Sequence, residues 1–415
     1  MVIGKGFTDR LLTQAEIRGI ICQGLAQIDV AGKRVFVIIP DGTRSGPVPL
    51  MFHLLSELLS VRGAKVDFLI ALGTHRRMSE EDILEHLGIS REERYGQYAQ
   101  VEILNHDWQN GLREIGIIPA AEIRELSQGF LDQHLHVEVN ERIFDYDRLI
   151  ICGPVFPHEV VGFSGGNKYF FPGISGETVI ELTHWLASLI GNLGIIGKEE
   201  TPVRRIIDRA ASYIQMPKSC FSMVVKRERD LAGLYFGSPE ESQAQAAALS
   251  ARVNVCYVER TYHTVLCVMP DIYDDFWTAC KGMFKAEPVV ADGGTLIIYA
   301  PHIDEVSYTH GAALDRIGYH VRDYYLAHEA ELTDVSPLVI GHAVLVKGAG
   351  SYQTGVEKPR INVALATRIP PERCERINLS YVDPTTVHPE EWMGHEKEDV
   401  LVIPRAGEVL YCLRE

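Results

Sequence analysis

Four apolar-rich segments recur within the first 155 residues, at 35–39, 66–72, 101–104 and 149–155, the first of them a continuous apolar run ended by Pro40, and segments of different character separate them. A run with no polar alternation is what a strand buried on both faces requires, and such strands belong to parallel sheets covered by helices. The segments around the runs carry helix signals. Thr13-Gln-Ala-Glu16 has the form of a capping box ahead of Ile17, Ile20, Ile21, Leu25 and Ile28 at helical spacing. Residues 49–59 read as a helix, and Ser79 precedes Glu80-Glu81-Asp82 as an N-cap ahead of an acidic first turn. This alternation predicts a doubly wound α/β sheet.

A second alternating set follows, with strands expected at 253–258, 264–269, 295–300, 343–347 and 361–366. The polar, Ala-rich stretch from Gly237 reads as a helix bridging two lobes, so a boundary falls near 250. The fold expected is therefore α/β, with two lobes of mainly parallel sheet and an active-site crevice between them. Residues 1–250 form the lobe that carries the cofactor and the catalytic histidines, and 388–415 are expected to complete it. Residues 251–387 form a lobe that closes over substrate. A chain of 415 residues is long enough for two or three such cores.

Charge excludes some functions. Forty Lys+Arg against 56 Asp+Glu leave −16, with no basic run to reverse it locally, so nucleic acid and anionic membrane surfaces are not expected partners. A local cluster of cations can still bind a small acid. The eight cysteines are scattered without a Cys-x-x-Cys pair and read as thiols of a reducing compartment. No run of 18 apolar residues and no signal-peptide apolar region is present, so a soluble cytoplasmic protein is expected.

Reactive side chains follow the apolar runs. Asp41-Gly-Thr43-Arg44 follows the first, Gly73-Thr74-His75 the second, Asn105-His106-Asp107 the third and Phe156-Pro157-His158 the fourth. Open parallel sheets bind ligands beyond the carboxyl ends of their strands, so these side chains are expected to face one crevice. A single histidine after a strand reads as a solvated or capping residue. Three at successive strand ends, with an Asp/Arg pair, point to a site.

Next comes Gly162-Phe-Ser-Gly165-Gly166-Asn167-Lys168. Its glycines allow positive φ and close backbone approach, and Lys168 offers a phosphate contact or an amine nucleophile. The loop lacks the Walker A spacing, and a plain Gly-rich turn with a surface lysine accounts for it equally well. Ser175 is expected to cap the helix that carries Ile180 and His184 on one face. His184 alone reads as a core histidine. As a metal ligand it is isolated, and most of the coordination would have to come from elsewhere, such as an organic cofactor.

Taken together in order and spacing, these motifs, with Lys281-Gly282-Met283 and Gly293-Gly294-Thr295, resemble the nickel-dependent lactate racemase family over nearly the whole chain. The resemblance implies an isomerase, a racemase or epimerase that removes hydride from the α-carbon of a 2-hydroxy acid and returns it to the other face. It implies a nickel-pincer nucleotide, a pyridinium-3,5-bisthiocarboxylic acid mononucleotide of nickel, linked to Lys168 through a thioamide bond and made by cofactor-maturation proteins. His184 would be the protein's nickel ligand, and His75 and His158 the two acid/bases. Arg44 and Lys281 would bind the substrate carboxylate or neighbouring groups, with Arg44 also near the cofactor. Asp41 and Thr43 would contact the nucleotide or orient a histidine. Two positions depart from the pattern. Thr278 stands where a substrate-contacting glutamine is expected, which puts lactate itself in doubt as the substrate, and Asn167 stands where a basic residue is expected.

Two other functions are open to the same residues. One is a zinc hydrolase or lyase with His75, His106 and His158 as ligands. The other is a non-catalytic protein that holds an anion with Arg44, Lys168 and Lys281.

Overall fold

The structure is a computed structural model, described over residues 1–414. The chain divides into two compact units. Residues 1–156, 163–180 and 204–253 form the first, and 157–162, 181–203 and 254 onward form the second.

The first unit is built on a seven-stranded sheet. In spatial order its strands are Ile3–Gly6, Asp230–Gly237, Lys218–Arg227, Arg148–Pro154, Arg34–Pro40, Lys65–Ala71 and Ile103–Asn105. The last five are mutually parallel; Asp230–Gly237 is added antiparallel to them at one edge, and Ile3–Gly6 antiparallel to it in turn. Phe36, Val37 and Ile38 have no exposed surface, which explains the uninterrupted apolar run: helices or loops cover both faces. Helix Gln14–Leu25 begins with the expected capping box, in which Glu16 N–H donates to Thr13 Oγ1 at 3.2 Å and Thr13 N–H to Glu16 Oε2 at 2.9 Å. Helix Val48–Val61 buries Met51, Phe52, Leu55 and Leu59 in the same cluster as Val37 and Phe68, each stabilising the fold by about 1.5–3 kcal/mol.

Strand order positions the site. From Arg34–Pro40 the chain steps outward to Lys65–Ala71 and Ile103–Asn105, then returns to the other side of Arg34–Pro40 with Arg148–Pro154. The order reverses between Arg34–Pro40 and Arg148–Pro154, so the loops beyond their carboxyl ends diverge and leave a crevice.

The second unit has its own sheet of five parallel strands, Ser380–Tyr381, Asn362–Thr367, Val290–Ala300, Tyr262–Val268 and Val400–Ile403. The mainly parallel α/β class therefore holds in both units.

Four sequence expectations differ. Residues 343–347 are not a strand but the end of helix Pro337–Lys347, whose cap Ser336 accepts from Leu338 N–H at 3.2 Å. The Ala-rich stretch does not bridge lobes. It forms helix Pro239–Val253, which packs Ala246, Ala247 and Leu249 against Val155, Phe163, Val224 and Ala232 of the first unit. The C-terminal segment does not complete the first unit, because Val400–Ile403 pairs with Tyr262–Val268 and Leu410–Leu413 with Val255–Val258. Finally, Ser175 does not cap the next helix, Glu177–Ile190; Ile180 N–H donates to the Gly176 carbonyl instead.

Candidate active site

Asp41 leaves strand Arg34–Pro40 at its carboxyl end, buried at 5% exposure. Its Oδ1 accepts from Thr43 N–H at 3.1 Å and from Thr43 Oγ1–H at 2.8 Å. Its Oδ2 lies 2.5 Å from Nδ1 of His75, which follows the adjacent strand Lys65–Ala71. A carboxylate accepts, so the ring proton sits on Nδ1 and the lone pair on Nε2. Nε2 has no hydrogen-bond partner among the described residues, and the side chain is 32% exposed. A buried acid thus orients a half-exposed imidazole with its basic nitrogen outward, the relation an acid/base histidine needs.

Arg44 is half-buried and has no hydrogen-bond or ion-pair partner among the described residues. Tyr169 is close enough to feel its charge, although burial pushes the Tyr169 phenol far above its ordinary value. The Tyr169 hydroxyl packs onto Gly153, where an added Cβ would lie 2.0 Å from it. Since Gly153 belongs to strand Arg148–Pro154, Tyr169 and Arg44 mark the two sides of the strand-order reversal. Lys168 precedes Tyr169 on a short 3-10 turn, Gly166–Tyr169, entered through Gly165 at φ +84° and Gly166 at φ +59°. These left-handed conformations require glycine, and a Cβ on Gly165 would fall 2.5 Å from Val155 Cγ2.

His106 does not open onto this crevice. It is 1% exposed, its Nδ1 accepts from Asn140 Nδ2–H at 3.1 Å, and its Nε2–H donates to the Ser175 carbonyl at 3.0 Å. Burial lowers its pKa to about 4, keeping it neutral. With both nitrogens engaged His106 has no lone pair for an ion, which removes it from the zinc ligand set expected of His75, His106 and His158.

His158 groups with the second unit, as does His184, so the expectation that the first domain holds every catalytic histidine is corrected. His158 is 4% exposed, and its Nδ1 accepts from Val160 N–H at 3.1 Å. Its neutral tautomer therefore carries the proton on Nε2, opposite to His75. Glu159 Oε2 lies 3.6 Å from His158 Nδ1 and 3.6 Å from Nζ of Lys285, which is only 1% exposed.

His184 is half-buried on helix Glu177–Ile190, with Nδ1 3.5 Å from Thr183 Oγ1. Gly341 brings helix Pro337–Lys347 against its backbone, where a Cβ would lie 2.9 Å from the His184 carbonyl. Six residues C-terminal to Asp275, Lys281 is 6% exposed, with Nζ 4.9 Å from the centre of the Tyr273 ring. Thr278 is occupied with the local turn: its hydroxyl lies 2.8 Å from Asp275 Oδ1 and 3.0 Å from the Asp275 carbonyl, and its N–H donates to Asp275 Oδ1 at 2.9 Å.

Sequence reasoning missed a ring cluster in the second unit, where Trp277 stacks on His342 (3.6 Å, 14°) and meets His310 at a tilt (4.5 Å, 39°). Burial, and then the neighbouring His310 and His184, push the His342 pKa well down. It also missed Arg204, buried beside the Lys168 loop. A lone arginine on the apolar face of a helix, between Val203 and Ile207, was the available signal.

The donor set decides what metal chemistry fits. Among the described residues no group of three His, Cys, Asp or Glu is arranged to hold an ion. His184, in the second unit, is a single imidazole donor, so a metal held there needs a group that brings the other donors.

A two-unit α/β protein with an aspartate-oriented histidine at a strand-order reversal is the class that fold and site define. Comparison narrows this. A family model described as the lactate racemase N-terminal domain matches residues 12–192. A crystal structure of a protein from Thermotoga maritima is 34% identical, covers 97% of this chain and 99% of its own, and superposes with a TM-score of 0.89. The lactate racemase of Thermoanaerobacterium thermosaccharolyticum is 23% identical over 282 residues, 66% of this chain and 61% of that one, so the match spans about three fifths of the curated relative. The structure of the lactate racemase apoprotein from the same organism shares the fold, at 18% identity and TM-score 0.71 over 100% of this chain and 94% of that one. Residues 12–192 of the chain therefore carry the N-terminal domain of the lactate racemase family. Among the described residues no helix is long and apolar enough to cross a membrane.

Proposed function

We propose that this protein is a racemase or epimerase of a 2-hydroxy acid, working with a nickel-pincer nucleotide anchored at Lys168 and ligated by His184. The observation that carries the reading is the Asp41–His75 pair at 2.5 Å, on the same strand-end loop as Arg44, which has no hydrogen-bond or ion-pair partner among the described residues. Arg44 suits a carboxylate because its planar guanidinium can pair with both oxygens, and Lys281 supplies a second cation. When bound, the cofactor supplies a hydride acceptor at the substrate α-carbon.

The chain's own residues then handle the hydroxyl proton. Asp41 holds the proton on His75 Nδ1, leaving Nε2 to take the hydroxyl proton of one substrate enantiomer; the aspartate also stabilises the imidazolium that results. Thr43 braces the aspartate from its other oxygen. His158 presents Nε2–H, the donor form, to the hydroxyl oxygen in the other substrate orientation. For His158 to act as base in its turn, its ring proton moves to Nδ1 and the Val160 N–H loses its acceptor. With the Thr278 hydroxyl turned to Asp275, we propose a 2-hydroxy acid other than lactate as substrate.

Protein produced with its maturation partners is expected to carry one nickel per chain and one mononucleotide adduct by intact mass, both absent in Lys168→Ala. Turnover of a chiral 2-hydroxy acid in heavy water is expected to retain the substrate α-hydrogen. Deuterium at the α-carbon would point to enolisation instead, and activity that survives Lys168→Ala would sink the proposal.

A further inference from the structure

The loop that carries Lys168 is held by buried polar side chains that the proposed reaction does not use. Arg204, 6% exposed on helix Pro202–Ala211, donates through Nη1 to the Gly165 carbonyl at 3.2 Å and through Nη2 to the Phe163 carbonyl. Gln243 donates through Nε2 to the Ser164 carbonyl at 3.3 Å. Ser164 closes the loop onto its own stem, where Phe156 N–H donates to Ser164 Oγ at 2.9 Å and Ser164 N–H to the Phe156 carbonyl at 2.8 Å. Asn167, 1% exposed, donates from Nδ2 to Asp208 Oδ1 at 2.9 Å and to Glu240 Oε1 at 2.6 Å. Three consecutive carbonyls, those of Phe163, Ser164 and Gly165, thus accept from buried side chains, and the residue before the lysine is tied to two carboxylates.

Irregular backbone with two left-handed glycines loses more entropy on ordering than any other, so this density of contacts has a large disorder to oppose. A glycine loop bearing only a surface lysine has no need of a buried guanidinium, since burying that charge is costly. We infer that Arg204, with Asn167 and Gln243, is a positioning device that holds the backbone of residues 163–168 so that the Lys168 amine meets its cofactor in one orientation. Arg204 acts on the loop carbonyls and Asn167 on the two carboxylates, so their role is to position Lys168 rather than to react. The departure at position 167 then has a physical role. An amide there gives its two N–H donors to two carboxylates, and a larger cation is not needed because Arg204 already supplies the charge. The inference rests on the reading of Lys168 as the cofactor anchor only for its final step.

Hydrogen exchange on the full chain, produced without maturation partners, separates the two. In Arg204→Met and Asn167→Leu, exchange in the segment 163–170 is expected to rise about tenfold or more, while helix Gln14–Leu25 and strand Arg34–Pro40 exchange as in the parent. Arg204→Lys, which keeps one donor, is expected to fall between, and it carries the test together with Asn167→Leu if Arg204→Met does not fold. Produced with maturation partners, the same variants are expected to show an adduct fraction at Lys168 reduced in the same order. Unchanged exchange at 163–170, or a uniform rise across the whole first unit, would overturn the clamp. Full adduct formation in variants whose loop exchange has risen would overturn its positioning role. If the parent itself takes no adduct while the exchange pattern appears, the clamp stands and the cofactor reading fails.

Discussion

His75 and His106 follow neighbouring parallel strands of one sheet and have opposite fates. His75 is 32% exposed, held at one nitrogen by a buried aspartate and open at the other. His106 is 1% exposed and held at both. The difference teaches that a strand-end histidine becomes a reagent only when its partners leave one nitrogen unspent. His106 has the structural duty of joining the ends of two segments, Asn140 and Ser175.

That contrast can be broken most severely at His75. His75→Ala in the loaded enzyme is expected to lower kcat about a thousandfold with little change in melting temperature, and Asp41→Asn about a hundredfold through loss of the right tautomer. Steady-state kinetics on each enantiomer checks both, and a His75→Ala enzyme with near-parental kcat would remove His75 from the chemistry. His106 is expected to show the reverse. His106→Leu strands the Asn140 amide and the Ser175 carbonyl and should cost roughly 2–4 kcal/mol by urea unfolding, with kcat of the folded fraction nearly retained.

The pH dependence of stability sharpens the same point. The folded chain holds His106 at about 4, below the ordinary imidazole value of 6.5, so the unfolded chain takes up that proton first. This contribution is present above pH 6.5, declines as pH falls toward 4 and changes no further below that, a span of roughly 3 kcal/mol. His106→Gln is expected to flatten that part of the profile; an unchanged slope would mean that another group sets it. The smallest effect is expected at Thr43→Val, which removes one brace from Asp41 and should lower kcat about fivefold, the equivalent of one hydrogen bond near 1 kcal/mol.

The parallel sheets were legible because burial on both faces writes itself as an apolar-rich run, unbroken at 35–39 and interrupted only by single acids, Asp67 and Glu102, in the next two segments. The same signal misled at 343–347, where a helix is apolar nearly all round and a short apolar stretch looks alike in either form. Ser336-Pro337 just upstream carried the helix-start information. Of the site, Asp41, Thr43 and His75 were legible as types, but that Asp41 reaches His75 rather than a ligand depends on two strands lying side by side at matched register, Pro40 beside Ala71. His106 was misjudged because its partners, Asn140 and Ser175, lie 34 and 69 residues further along the chain. The Lys168 loop was visible as glycines, whereas its clamp was not, since Arg204, Asp208 and Glu240 come from two later helices.

The chain's route between its units bears on how it is made. Residues 157–162 and 181–203 belong to the second unit, although first-unit segments precede and follow them. During synthesis His158 and His184 leave the ribosome well before the strands 262–268, 290–300 and 362–367 that make up most of their unit's sheet. Leu182, Leu186 and Ala187, buried in the finished molecule, spend that interval without their second-unit neighbours. Cutting the gene near codon 253 would therefore not yield an independent half. It would yield a nascent chain displaying orphaned apolar segments, a ready client for chaperones.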